Sequence, residues 1–300
     1  MKRVLLTMII IAVLLFGIIL ACNITSKRNQ FNNSDAENEE LTIMDQNEIT
    51  IYDIEEGYLK VPYNELADKH CFNWDKSLKK ENGFYYYEDE NYKSIFGLDL
   101  SNYQEEVDWE KLKSEGVEFV ILRVGYRGYG SAGNIVIDSM FEEHYKNAIN
   151  NGMYVGVYFF SQAINTDEVK EEADTVLECI KGKNIMLPVF FDLEKIKNDT
   201  ARTDNLTLEE INEMSLEFCK IIKENGYEPG IYGNSKTFTT KMKLEEFNDY
   251  FKWYADYLET PLYPYEFSMW QYTETGHIDG IEGNVDFNIY FDKKTNYELY

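Results

Sequence analysis

Residues 185–194 read IMLPVFFDLE, an apolar run with one proline that ends on two carboxylates, Asp192 and Glu194. Seven of the ten side chains are of the kind that fills a protein interior, and burying an unpaired charge beside them is costly. Pro188 cannot donate to a strand ladder, but it can begin a strand, leaving Val189 to Leu193 as the paired part. Asp192 and Glu194 are two apart, so a strand turns both to one face, with Phe190 beneath them. The stretch is therefore read as a buried parallel strand whose charges emerge at its C-terminal end.

Working outward, the same alternation repeats on both sides. SIFGLDLS, VEFVILRVGY, MYVGVYFFS, the opening stretch and EPGIYGN are strand-like, and each of the first four is followed by a helical pattern: VDWEKLKSEG, FEEHYKNAINNG, TDEVKEEADTVLECIKGK and TLEEINEMSLEFCKIIKENG. Strand–helix units in succession predict parallel strands joined by right-handed crossovers. Helices that stop at Gly116, Gly152 and Gly226 fit the left-handed C-terminal cap, and Thr166 or Asp167 is the expected N-cap of the third helix. Beyond Asn248 the alternation weakens, and DYFKWYADY, EFSMWQY and GNVDFNIYF read as three strands. Five units and three strands are close to a closed eight-stranded barrel that has lost its last helices, an α/β fold.

The rest of the chain divides by composition. MKR and an uncharged run from Val4 to Ala21 precede Cys22. A basic start and an apolar stretch resemble a secretory signal, and Ile19-Leu20-Ala21-Cys22 resembles a bacterial lipobox with Cys22 as the lipidated residue. The run is also just long enough to span a bilayer, so an uncleaved anchor is the other reading. Residues 1–22 are thus a signal or anchor. Residues 23–40 are an acidic linker, residues 41–93 a small β-rich extension of open fold, and residues 94–300 the barrel. The expected location is the extracytoplasmic face of a bacterial membrane, held there through the N-terminus.

The net charge is −25 and the pI near 4.5, which excludes nucleic acid as a partner and attraction to anionic surfaces. Cys71, Cys179 and Cys219 are an odd set outside a lipobox, so no full disulfide framework is expected. His70, His144 and His277 are too few and scattered for a metal-dependent esterase, and no cofactor or metal is expected.

Ligands of such barrels bind at the C-terminal strand ends. Asp99 ends the first barrel strand, Asp192 and Glu194 the fourth, and Asp286 lies in the last. One acid at a strand end is usually a cap; several converging on one mouth repel one another, and at least one should keep a proton near neutral pH. Paired carboxyls of unequal protonation are what glycoside hydrolysis needs. Tyr126, Tyr158, Phe160, Tyr232, Trp253, Trp270 and Tyr272 fall near strand ends and are candidate sugar-stacking residues, Trp253 and Trp270 foremost.

With these pieces in hand, the chain resembles the glycoside hydrolase 25 lysozymes, the N-acetylmuramidases of bacteria and phages. FGLDLSNYQ, VDWEKLKSEGVEFVILRVGYRG, GVYFFSQA, LPVFFDLE, GIYGNS, KWYADY, MWQYTETG and GNVDFNIY carry the resemblance in the family's order, over roughly residues 95 to 292. It implies a TIM-like, modified (β/α)5β3 barrel and cleavage of the β-1,4 bond between N-acetylmuramic acid and N-acetylglucosamine in a peptidoglycan glycan strand; the chain is expected to act as a monomer. Glu194 matches the general acid, Asp192 its partner, and Asp99 and Asp286 the family's other acidic positions. SNYQ and FFSQ stand where the family often has a histidine. A wall-binding lipoprotein with an inactive barrel is the alternative, and it predicts loss of Asp192 or Glu194.

Overall fold

The computed structural model describes residues 48–294 apart from Glu55 and Asn198. The anchor, Cys22 and the acidic linker lie outside the described residues, as does the start of the extension. Among the described residues no helix is long and apolar enough to cross a membrane. Among the described residues, those from Thr50 to Lys294 form one compact unit.

A short N-terminal part comes first: β1 (Glu48–Asp53), β2 (Gly57–Pro62), α1 (Trp74–Ser77), β3 (Leu78–Glu81) and β4 (Phe84–Tyr87). It is followed by β5 (Tyr92–Leu100), α2 (Trp109–Ser114), β6 (Phe119–Arg127), β7 (Ile135–Ile137), α3 (Phe141–Asn150), β8 (Tyr154–Ser161), α4 (Thr166–Ile180) and β9 (Val189–Leu193). Then come α5 (Leu208–Glu224), β10 (Pro229–Asn234), α6 (Ser235–Thr240), β11 (Phe251–Ala255), β12 (Met269–Gly276) and β13 (Val285–Lys293). The strand order β5-β13-β12-β11-β10-β9-β8-β6 closes on itself through β5–β6, giving an eight-stranded barrel, with β7 an antiparallel addition to β6. All ladders of the barrel are parallel except the two made by β13.

Local chemistry sets the ends of the elements. β9 starts directly after Pro188, whose carbonyl still accepts from Val157 N–H at 3.2 Å. Gly116, Gly152 and Gly226 follow their helices with φ of +95°, +66° and +85°, as the cap requires. α4 is capped by Asn165, whose side chain accepts from Glu168 N–H at 2.9 Å, one residue before the expected cap. Asn165 can reach the third helical amide from outside the first turn, whereas Thr166 is already helical. Thr207 and Glu210 form a reciprocal capping box at α5.

The barrel interior is filled by Phe119, Ile121, Phe190, Trp253 and Met269, with Ile95, Tyr158 and Tyr232 packed against them. Such large rings fit because their register partners on the neighbouring strands are glycines: a Cβ on Gly97 would meet the Phe119 ring at 2.4 Å, and one on Gly230 the Phe190 ring at 2.5 Å.

The N-terminal part covers the side of the barrel that the helices leave open. Phe72 stacks on Phe291 at 4.2 Å and Phe84 lies 4.8 Å from Phe96 and 5.5 Å from Phe287. Tyr85 packs on Trp270 at 5.2 Å and Tyr272 at 5.0 Å, while Trp74 approaches Trp270 at 6.1 Å. These barrel residues alternate with the inward-facing ones, so they point outward. The aromatics of residues 72–87 thus do for β5, β12 and β13 what helices do for the other strands.

Candidate active site

The strands deliver their inward side chains to one mouth in register. Asp99 on β5 is the direct partner of Asp286 on β13, and Phe160 on β8 and Tyr232 on β10 both pair with Asp192 on β9. Glu194 stands one residue beyond β9, with its carbonyl fixed by Gln162 Nε2 at 2.8 Å; Thr203 Oγ1 in turn donates to Gln162 Oε1 at 2.9 Å.

The four acids form two pairs. Asp192 and Glu194 lie within hydrogen-bonding reach of each other. Asp192 is only 4% exposed, and no donor group among the described residues reaches its Oδ1. Burial first, then the Glu194 and Asp99 carboxyls, hold Asp192 well above the usual carboxylate range. Glu194 reaches solvent at the rim, yet the walls around its carboxyl strip away enough water to push it up to about 7. Lys197 pulls it back, and so does the hydrogen bond with Asp192. Asp99 and Asp286 form the second pair. Burial raises Asp99 against the opposing effect of amide donors from Asn288 and Gln271, and burial with the adjacent Asp99 pushes Asp286 up to about 10.

A shell of uncharged donors surrounds these pairs. Asp99 Oδ2 accepts from Gln271 Nε2 at 2.9 Å and Asn288 Nδ2 at 2.8 Å. Tyr232 and Tyr257 each donate to Gln271 Oε1 at 3.0 Å. On the other side of the mouth, Arg123 pairs with Asp138 at 2.8 Å and lies 5.2 Å from the Tyr103 ring and 5.4 Å from the Tyr126 ring. Paired carboxyls whose proton affinity is raised by burial, beside neutral donors and with Glu194 at the solvent rim, are an arrangement suited to protonating a leaving oxygen.

Of the aromatic candidates, Tyr126, Tyr158, Phe160 and Tyr232 come to this mouth. Trp253 lies below it, 2% exposed, 4.6 Å from Tyr232 and 5.3 Å from Phe190, with its indole N–H on Asn288 Oδ1 at 2.8 Å. Trp270 and Tyr272 are elsewhere: both face outward and are buried under Tyr85. The register explains this, because Met269 and Gln271 share the inward face with Trp253 and Ala255, and their neighbours along β12 must turn out. Gln271, Asn288, Gln162, Arg123 and Tyr257 were not singled out by the sequence reading. The signal for the first two was there in the alternation of β12 and β13, once one inward residue is known.

Asp99, Asp192 and Glu194 at the C-terminal ends of parallel strands, met by Asp286 at the start of antiparallel β13, are paired acids of the kind glycoside hydrolysis uses. The family model for glycosyl hydrolases family 25 matches residues 98–281, more than half of the chain, and the chain belongs to that family. It is similar to the uncharacterized protein YegX of Escherichia coli (strain K12), 26% identical over 208 residues, which are 66% of this chain and 70% of that one. Lysozyme M1 of Streptomyces globisporus is 26% identical over 205 residues, 65% of this chain and 67% of the relative. Among solved structures, the CTP1L endolysin matches with a TM-score of 0.53 and 26% identity, over 65% of each chain. The modular autolysin LytC of Streptococcus pneumoniae, solved with a synthetic peptidoglycan ligand, matches with a TM-score of 0.59 and 20% identity, over 82% of this chain and 57% of its own. The chain therefore spans less than two thirds of either of these two proteins.

Proposed function

We propose that this glycoside hydrolase is a muramidase acting on peptidoglycan, cleaving the β-1,4 bond between N-acetylmuramic acid and N-acetylglucosamine on a modified (β/α)5β3 barrel. The observation that carries the reading is the Asp192–Glu194 pair at the mouth, one member buried and the other at the rim. Glu194, the member that meets solvent, delivers the pair's proton to the glycosidic oxygen. Asp192 then bears the charge that faces the oxocarbenium-like centre, or orients the substrate's own acetamido group. Asp99 and Asp286 orient these groups or the sugar, and Tyr126, Tyr158, Phe160 and Tyr232 line the path of the glycan strand. The name of Lysozyme M1 and the ligand of LytC support this substrate class.

We place the enzyme on the outer face of a bacterial membrane, with Cys22 lipidated or the run Val4 to Ala21 as an uncleaved anchor, working as a monomer. The substrate assignment is tested by mass spectrometry of digested peptidoglycan, where a muramidase leaves reducing muramic acid ends. Glu194→Gln should lower turnover by about 10²–10⁴-fold while the chain stays folded, with Tm no lower than the native value. Equal clearing of purified walls by the native and Gln forms would sink the acid assignment. Labelling of the native chain with a palmitate analogue that is lost in Cys22→Ser would separate lipidation from an apolar span.

A further inference from the structure

A primary amide donates only at nitrogen and accepts only at oxygen, so its neighbours decide which way it faces. An indole N–H can only donate. Trp253 Nε1 donates to Asn288 Oδ1 at 2.8 Å, which aims the Nδ2 end of Asn288 at Asp99 Oδ2, 2.8 Å away. Gln271 is oriented in the same way from another side. The hydroxyls of Tyr232 and Tyr257, both kept protonated by burial, donate to its Oε1, and its Nε2 donates to the same Asp99 oxygen. Asp99 Oδ2 thus takes two amide N–H bonds and offers no seat for a proton. Asp286 receives from Gln271 only a long contact of 3.5 Å. A hydrogen bond between the two carboxyls requires one proton, and the amides stabilise the ionised form of one partner only.

We propose that Gln271 and Asn288 are positioning residues that keep Asp99 ionised and leave the proton of the Asp99–Asp286 pair on Asp286. The other groups facing the pair limit how much charge it holds without choosing where that charge sits. Asp192 on β9, Glu194 just beyond it and Glu274 on β12 oppose a second negative charge. Arg123 on β6 is already paired with Asp138, and Tyr158 and Tyr257 are neutral. The pair therefore carries one charge, and the two amides select Asp99. The catalytic meaning, a carboxylate of fixed position across the mouth from Glu194, rests on the muramidase reading; the protonation itself does not.

Carboxyl ¹³C chemical shifts of the full chain test this, titrated from about pH 4 to about pH 8 and assigned with Asp99→Asn and Asp286→Asn. Near neutrality Asp286 should give a protonated-type shift and Asp99 an ionised one. In Gln271→Met, which removes one of the two donors, the Asp99 step should move upward by about one to two pH units. The reverse distribution in the native chain would overturn the proposal, and so would an unchanged titration in a folded Gln271→Met. Should that variant fail to fold, the native titration alone decides. Absence of glycan cleavage by the native chain would refute the muramidase reading and leave the shifts unaffected, so the two failures are distinguishable.

Discussion

Trp270→Phe separates two roles that an aromatic residue near the end of a strand can have. Trp270 is fully buried, packed on Tyr85, Tyr272 and Trp74, and its indole N–H donates to the Asp256 carbonyl at 2.7 Å. Replacing it by Phe removes the five-membered half of the ring, about 40 Å² of buried apolar surface and so about 1 kcal/mol. It also leaves the Asp256 carbonyl without its donor, which costs about 1–3 kcal/mol when the group stays buried. The sum is about 2–4 kcal/mol. For a chain of this size that lowers Tm by roughly 5–12 °C. The assay is a thermal melt by circular dichroism, run beside Michaelis–Menten kinetics on soluble glycan well below the transition. An outward-facing core residue predicts the loss in Tm with KM unchanged. If Tm stays within about 2 °C of the native value and KM rises severalfold, Trp270 touches the sugar and the placement of β12 is wrong.

Other outcomes follow from the acids and from the aromatic cover. With Glu194 as the proposed acid and its folded value at about 7, the alkaline limb of kcat/KM should fall near neutrality rather than near its ordinary 4.5; an alkaline limb below about pH 5 would argue that another group supplies the proton. Stability should fall as the medium becomes alkaline. Asp99, Asp192, Glu194 and Asp286 bind their protons more tightly folded than unfolded, and so does Glu172, fully buried beside Arg127 and pushed up to about 7. That contribution is complete below their ordinary values of 3.8 and 4.5 and is lost as pH rises through about 7, so Tm should be higher at pH 5 than at pH 8. A higher Tm at pH 8 would contradict the burial of these groups. Deleting the chain up to Glu90 should uncover Phe287, Phe291, Trp270 and Tyr272 and give a product that binds hydrophobic dye and aggregates; a soluble truncated barrel with native Tm would show the cover to be dispensable.

Much of the architecture was legible in the order of the residues. Period-two apolar runs and period-3.6 amphipathic stretches mark strands and helices because side-chain direction follows backbone geometry, and Pro188 and the capping glycines mark their ends. Asp192 and Glu194 were identified because two carboxylates at the end of a buried strand are expensive anywhere except at an open mouth. What alternation does not show is which of two apolar faces turns inward. On β12, Trp270 and Tyr272 look as suited to the site as Gln271 does, since both faces of the strand are covered. The choice is made by register with β11 and by aromatic partners up to 219 positions away, as Phe72 is from Phe291. The same holds for the second acid pair: Asp99 and Asp286 are neighbours only because the barrel closes, and the amides of Gln271 and Asn288 reach Asp99 from strands at the far end of the chain. The sequence by itself determined the elements, their order and the acids at their ends, because those depend on local geometry and the cost of burial. Tertiary structure alone decided which side chains meet, because closing the barrel sets the distances on which hydrogen bonds and shared protons depend.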